Sequence, residues 1–308
     1  MVLAQDLRAA VLQAAMQGKL TEQLPEDGDA RDLLAQIKVE KEQLEKEKKI
    51  KKERKVNPIT EILFVIPENW VWVRLPEILL IQPSNGKSVT PVEYDTGVKN
   101  LTLTATTSGV FKPEEYKYVN LEIDVASRYW LHPGDLLIQR SNSRELVGTS
   151  CIYDGKDEEY IYPDLMMRMR VMEPINLQYI DYVLKSPYVR TYYSNNAIGT
   201  SESMPKINQS IVGNTMIPIP PLAEQHRIVA RVEEFMAKID EYEKMENELA
   251  EIKAKFPGEM KAAILRAAMD GQLMERSNDD WGEKELSKVA SLLHSGWVEQ
   301  QTKCIHNS

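Results

Sequence analysis

One segment occurs twice in this chain, far apart. Leu7–Glu22 returns as Met260–Glu275 with nine of sixteen positions identical, among them Leu12/Leu265, Ala15/Ala268, Met16/Met269 and Gly18/Gly271. The echo continues past each copy, since Trp70, Leu75 and Ile78 are answered by Trp281, Leu286 and Val289. A structural unit therefore runs from the first copy to the second, and another opens after it. Two such units would give internal two-fold character, whereas these 308 residues hold about one.

That length suits one or two domains, and 43% hydrophobic content supplies a sizeable core. No apolar run approaches bilayer-spanning length, and Met1–Ala15 lacks the continuous apolar stretch of a signal peptide. Cys151 and Cys304 are the only cysteines, which suits a reducing compartment. A cytoplasmic chain is expected. The net charge of −9 argues against a nucleic-acid partner, because neutralising phosphates takes clustered Lys and Arg. A local basic face, or phosphate contacts from another subunit, would be needed.

Along the chain, four regions are expected. Residues 1–58 read as a helical scaffold: a helix from about Ala4 to Leu20 closed by Gly18, a turn at Pro25–Gly28, then a helix capped by Asp29. That second helix starts apolar and becomes almost wholly charged, with nine basic and five acidic residues from Lys38 to Lys55. It reads as a solvated face held by i,i+4 pairs or as a basic arm near nucleic acid. Residues 59–221 have the texture of an α+β domain, with strands expected at Leu101–Thr107, Asp135–Gln139, Thr149–Tyr153 and Leu165–Val171. In the last of these Met167, Met169 and Val171 alternate with Arg168 and Arg170, giving one apolar and one basic face. Helices follow at Leu177–Leu184 and, past Pro187, to Tyr193.

Residues 222–276 carry a helical pattern from about Ala223 to Lys255, on the order of 50 Å long, which Pro257-Gly258 should break before the second repeat copy. Ile228, Val232, Phe235, Ile239, Tyr242 and Leu249 form an apolar stripe expected to pack against a partner helix. Residues 277–308 read as the truncated start of a second domain, the pattern that a premature stop or frameshift would leave.

Several stretches together resemble the specificity (S) subunits of type I restriction–modification systems. They are Gly134-Asp135-Leu136-Leu137-Ile138-Gln139-Arg140-Ser141-Asn142-Ser143 with Glu145-Leu146-Val147-Gly148, Met204-Pro205-Lys206-Ile207-Asn208-Gln209, and Ile217-Pro218-Ile219-Pro220-Pro221-Leu222-Ala223-Glu224-Gln225. The resemblance covers about Met1 to Trp281 and implies one target-recognition domain of the usual two. It also implies a non-catalytic DNA-binding chain serving a modification (M) subunit, which methylates adenine with S-adenosylmethionine, and a restriction (R) subunit. S-adenosylmethionine, ATP and Mg are then expected on those partners, and no metal or cofactor on this chain. Two copies pairing through Ala223–Lys255 would rebuild a pseudo-two-fold whole and read a palindromic split site.

Polar loops are where base edges would be read. Arg140, Asn142, Ser143 and Arg144 follow an apolar strand, and Arg pairs with guanine as Asn does with adenine. Lys87, within Ser84–Ser88, and Lys206 with Asn208 offer similar chemistry. Against this, Asn142 and Ser143 can simply close a turn, and Arg140 can pair with an acid.

Catalytic signatures fail in turn. Gly86-Lys87-Ser88 lacks the earlier glycine of a phosphate loop, Ile81 standing in its place. No Asn-Pro-Pro-aromatic or Asp-Pro-Pro-aromatic stretch exists, and Pro163-Asp164 has no Glu-x-Lys partner at short range. His132, His226, His294 and His306 are scattered. The rival readings are a coiled-coil interaction protein that binds no DNA, an inactive truncated S subunit, and an enzyme with an unrecognised site.

Overall fold

The structure is a computed structural model that describes residues 2–50, 57–60, 62–199, 204–270 and 272. Residues up to Glu243 form one compact unit and those from Lys244 a second. No helix among the described residues is long and apolar enough to cross a membrane.

Helix α1 (Val2–Met16) is followed by Gly18 at φ +68°, where a Cβ would also lie 2.6 Å from Pro67 Cγ. Both the left-handed backbone and the close approach require glycine. Asp29 caps α2 (Ala30–Lys46) by accepting from the Arg31 amide. The charged helix expected to run to Lys55 ends at Lys46, and Lys48 takes a positive φ of 58°. Leu33 and Ile37 are buried and Leu44 packs on the core in the last turn, so the helix ends just past its last core-packed position. The basic run Lys51–Val56 lies outside the described residues.

The chain then builds β1 (Val71–Arg74), β2 (Leu79–Asn85), β3 (Pro91–Val92), β4 (Lys99–Leu101), α3 (Thr104–Thr107), β5 (Tyr116–Val119) and α4 (Ile123–Ala126). It continues through β6 (Leu136–Gln139), β7 (Ser150–Ile152), β8 (Tyr160–Ile161), β9 (Met166–Val171), α5 (Leu177–Lys185), α6 (Pro187–Asn196), α7 (Gln209–Gly213) and β10 (Met216–Ile219). Helix α8 (Leu222–Met269) follows. The expected strand at Leu101–Thr107 is half wrong: pairing stops at Leu101 and the threonines turn into α3. There Thr107 Oγ1 donates back to the Leu103 carbonyl at 2.8 Å, and the buried Gln139 amide fastens the same carbonyl. Local and tertiary hydrogen bonds override a β-branched pattern.

Three sheets result, with strand orders β1-β10, β2-β9-β6-β7 and β3-β5-β4-β8. The second is covered on both faces. Leu136, Ile138, Met167 and Met169 enter a large core with α5, α6 and β10, whereas Leu137, Cys151 and Met166 enter a smaller one with Phe111, Tyr153 and Tyr160. Double coverage explains why Leu136–Gln139 is buried at every position rather than at alternate ones. Burial also pushes the Cys151 thiol up to about 12, holding it uncharged. Arg168 and Arg170 do not make an open basic face. Arg170 donates Nε and Nη2 to the buried Asp135 carboxylate at 2.9 and 2.7 Å, and Arg168 donates to the Trp130 carbonyl.

Helix α8 corrects two expectations. It passes through Pro257 without ending, the following turns being rich in alanine, the best helix former. Ile228 and Val232 are not exposed for a partner, being buried in this chain's own core. Ile239 is buried as well and Phe235 half-buried, whereas Tyr242 and Leu249 are exposed. Arg8 of α1 donates to Asp240 at 2.6 Å and Glu243 at 2.7 Å, so the first repeat copy lies along this part of α8. The expected second domain from residue 277 and the repeat beyond Gln272 lie outside the described residues.

Candidate nucleic-acid interface

The three polar stretches singled out in the sequence converge on one short segment, Tyr162–Leu165, ahead of β9. From the first, the Lys87 amide donates to the Tyr162 carbonyl at 2.9 Å, and Ser88 Oγ donates to the Asp164 carboxylate. Gly86 is what lets the chain come so near: a Cβ there would lie 2.1 Å from the Tyr162 carbonyl oxygen. From the second, the Arg140 and Ser141 amides both donate to the Leu165 carbonyl, at 2.8 and 3.2 Å. The third joins through the Ile207 amide, which donates to the Arg140 carbonyl at 2.9 Å, and through an antiparallel bridge between Ser141 and Lys206. Lys87, Arg140 and Lys206 therefore rise from one continuous backbone network at the end of the central sheet.

The side chains divide by what already holds them. Arg140 is half-buried and donates Nη1 to the Asp164 carbonyl at 3.0 Å, so it meets a backbone oxygen rather than an opposing acid. Arg144 is exposed and reaches the Ser194 carbonyl at 3.1 Å. Lys206 is exposed and Lys87 half-buried. The exposed Ser143 presents its side chain, while its amide donates to Asn142 Oδ1 at 2.8 Å. Asn142 in turn donates Nδ2 to Gln139 Oε1 at 2.6 Å, so both ends of its amide are engaged within the turn. Asn208 is the N-cap of α7, its Oδ1 accepting from the Ile211 amide at 2.9 Å. Both Asn142 and Asn208 thus carry a structural duty besides any contact with bases. Asp164 places one negative charge within the same cluster.

Two supports escaped the sequence reading. Gln139 is fully buried and donates to the Leu103 carbonyl and the Thr106 and Thr107 hydroxyls at 2.8–3.0 Å, while its own oxygen holds Asn142. Arg190 of α6 donates to the Val147 and Glu145 carbonyls, fixing the far end of the same loop. A buried Gln at the end of an apolar run was the available signal for the first. Nothing in the local sequence announces the second.

The Ile217–Gln225 stretch is scaffolding. Glu224 is buried and accepts from Thr21 Oγ1 at 2.9 Å, Gln23 Nε2 at 2.7 Å and Trp70 Nε1 at 2.8 Å. Gln225, also buried, accepts from the Asn176 amide and donates to the Pro220 carbonyl, both at 2.9 Å. Asp27 and Arg227 form a two-pronged ion pair at 2.5 and 2.6 Å, which holds the Asp27 carboxyl below the usual carboxylate range. His226 meets Asn176 at 3.0 Å, a structural contact.

A profile of the type I restriction modification DNA specificity domain matches residues 67–254. The specificity subunit of the type I restriction enzyme EcoEI of Escherichia coli is 30% identical over 243 residues, 76% of this chain and 41% of that protein. The chain belongs to the type I restriction–modification specificity family. The specificity subunit of Escherichia coli EcoAI is likewise 30% identical over 239 residues, 75% of this chain and 39% of that protein. A crystal structure of the HsdS subunit from Thermoanaerobacter tengcongensis has a TM-score of 0.46 at 21% identity, covering 87% of this chain and 59% of that one. This specificity-family chain thus spans about two fifths of the length of the two curated relatives. Its matched segment holds the whole cluster around Tyr162–Leu165 together with the Glu224–Gln225 clamp.

Proposed function

We propose that this chain is a DNA-reading specificity subunit carrying one target-recognition domain, with Lys87, Arg140, Ser143, Arg144 and Lys206 facing DNA. The observation that carries the reading is the convergence of three polar stretches on Tyr162–Leu165, each anchored through backbone atoms. Side chains raised from a rigid edge can meet base edges and phosphates with little ordering cost. Asn142 and Asn208 contribute mainly by shaping the surface.

The chain itself performs no chemistry in this reading. A modification subunit supplies S-adenosylmethionine-dependent adenine methylation, and a restriction subunit with ATP and Mg supplies cleavage. The chain's net charge of −9 fits a division of labour in which the modification subunit provides much of the phosphate contact. A second specificity chain, or a second copy of this one, reads the other half of a split site.

The test is DNA retention by the complex of this chain with its modification subunit, measured against salt. Sequence-selective retention should fall when Lys87, Arg140 or Lys206 is replaced by alanine. Each lost phosphate contact should flatten the salt dependence by about one in log–log slope. Retention unchanged by all three replacements would refute the assignment.

A further inference from the structure

The segment on which the three polar stretches converge is held at each of its carbonyls. Tyr162 accepts from the Lys87 amide at 2.9 Å, and Pro163 from the Met166 amide at 3.0 Å. Asp164 accepts from Arg140 Nη1 at 3.0 Å, and Leu165 from the Arg140 and Ser141 amides. The Met166 bond closes a four-residue turn with Asp164 at its second position. Tyr162, Pro163 and Met166 are buried, whereas Asp164 is exposed. The backbone beneath Asp164 is therefore fixed, and what it presents outward is a carboxylate.

That carboxylate is itself aimed. Ser88 Oγ donates to Asp164 Oδ1 and accepts from the Asp164 amide at 3.3 Å, so the two residues lock each other. Among the described residues Oδ2 has no hydrogen-bond partner and the carboxylate no ion pair. This holds although Lys87, Arg140 and Lys206 rise from the same backbone network, since Arg140 directs its Nη1 to the main-chain oxygen instead. A free negative charge on a face that meets phosphates weakens binding by repulsion unless it meets a donor. The donors that a duplex offers in its major groove are the amino groups of cytosine and adenine. Adenine sets its N7 acceptor beside that amino group, which repels a carboxylate, whereas cytosine has no acceptor beside its own. Guanine and thymine present acceptors there, so a fixed carboxylate accepts one base and opposes the other three.

We propose that Asp164 is a specificity-determining residue whose carboxylate accepts from the amino group of a cytosine in the major groove, with Ser88 as its positioning residue. This deepens the proposed function by naming one base of the target, and it rests on that reading. Because Asp164 and Ser88 are both exposed, replacing either leaves the buried core untouched.

The test lets the complex of this chain with its modification subunit select from a pool of randomised duplexes, whose retained members are sequenced. Wild type should prefer cytosine at one position by about tenfold or more. Asp164→Ala should bring that position to within about twofold of no preference and leave the rest of the motif selected. Asp164→Asn keeps an acceptor for Ser88 but turns a donor outward, so cytosine should become disfavoured at the same position. A loss of loop order alone would not invert a preference in this way. Ser88→Ala should weaken the cytosine preference there and nowhere else. An unchanged motif in both Asp164 variants would overturn the proposal, as would tighter binding to all sequences alike, which would make Asp164 a source of repulsion only. A change at a position where wild type prefers another base would overturn it too. A wild-type complex that selects no sequence would sink the DNA reading itself, and the proposal with it.

Discussion

The indole of Trp70 donates to the buried carboxylate of Glu224, 2.8 Å away across 154 residues of sequence. The same carboxylate accepts from Thr21 and Gln23 in the segment that follows the first repeat copy. One side chain thereby fastens Trp70, just ahead of β1, and the segment after α1 onto the start of α8.

Replacing Glu224 by alanine strands the buried Trp70 indole N–H and takes an acceptor from the half-buried Thr21 and the exposed Gln23. Each unsatisfied buried group costs about 1–3 kcal/mol, partly recovered by relaxation. The expected loss is about 1–3 kcal/mol in urea unfolding, with Glu224→Gln losing less because one acceptor remains. A loss below about 0.5 kcal/mol would contradict the clamp.

Asn208 separates capping from reading. Asn208→Ala should cost about 1 kcal/mol through loss of the α7 cap, and Asn208→Ser should restore most of it. If the residue acts only as a cap, DNA retention by the serine variant should match wild type. Retention that stays low with stability restored would assign Asn208 a direct contact.

Gln139 is expected to couple α3 to the loop that follows β6. Gln139→Leu removes donors to Leu103, Thr106 and Thr107 and the acceptor for Asn142. A loss of about 1–3 kcal/mol is predicted, together with faster amide exchange at Asn142–Arg144 than in wild type. Unchanged exchange in that loop would argue against the coupling.

Acid should release the Asp27–Arg227 pair. The folded carboxyl titrates below its unfolded value of about 4, so it adds stability at pH 7 that is lost as pH falls through its lower folded value. The stability gap between wild type and Asp27→Asn should therefore be full at neutral pH and close in strong acid. A gap that stayed constant from pH 7 to strong acid would mean that the pair contributes no linkage.

Much of this was legible in the sequence. Gly18, Asp29 and the apolar run of β6 announced helix end, helix start and buried strand because each effect is local. The resemblance then located the polar stretches. Their meeting at Tyr162–Leu165 was not legible, since it depends on β2, β6 and β9 pairing across more than eighty residues. The charged helix was read too long because Lys and Glu favour helix whether or not a core holds them. Ile228 and Val232 were assigned to a partner because a stripe on α8 carries no mark of whose core it enters.

The proposed role of this chain is to direct adenine methylation by reading DNA. The most direct test is to co-express it with its modification subunit and map methylated adenines across the host genome. A two-part palindromic motif is predicted, one half per copy of the chain. No sequence-selective methylation by a complex that assembles stably would contradict the claim.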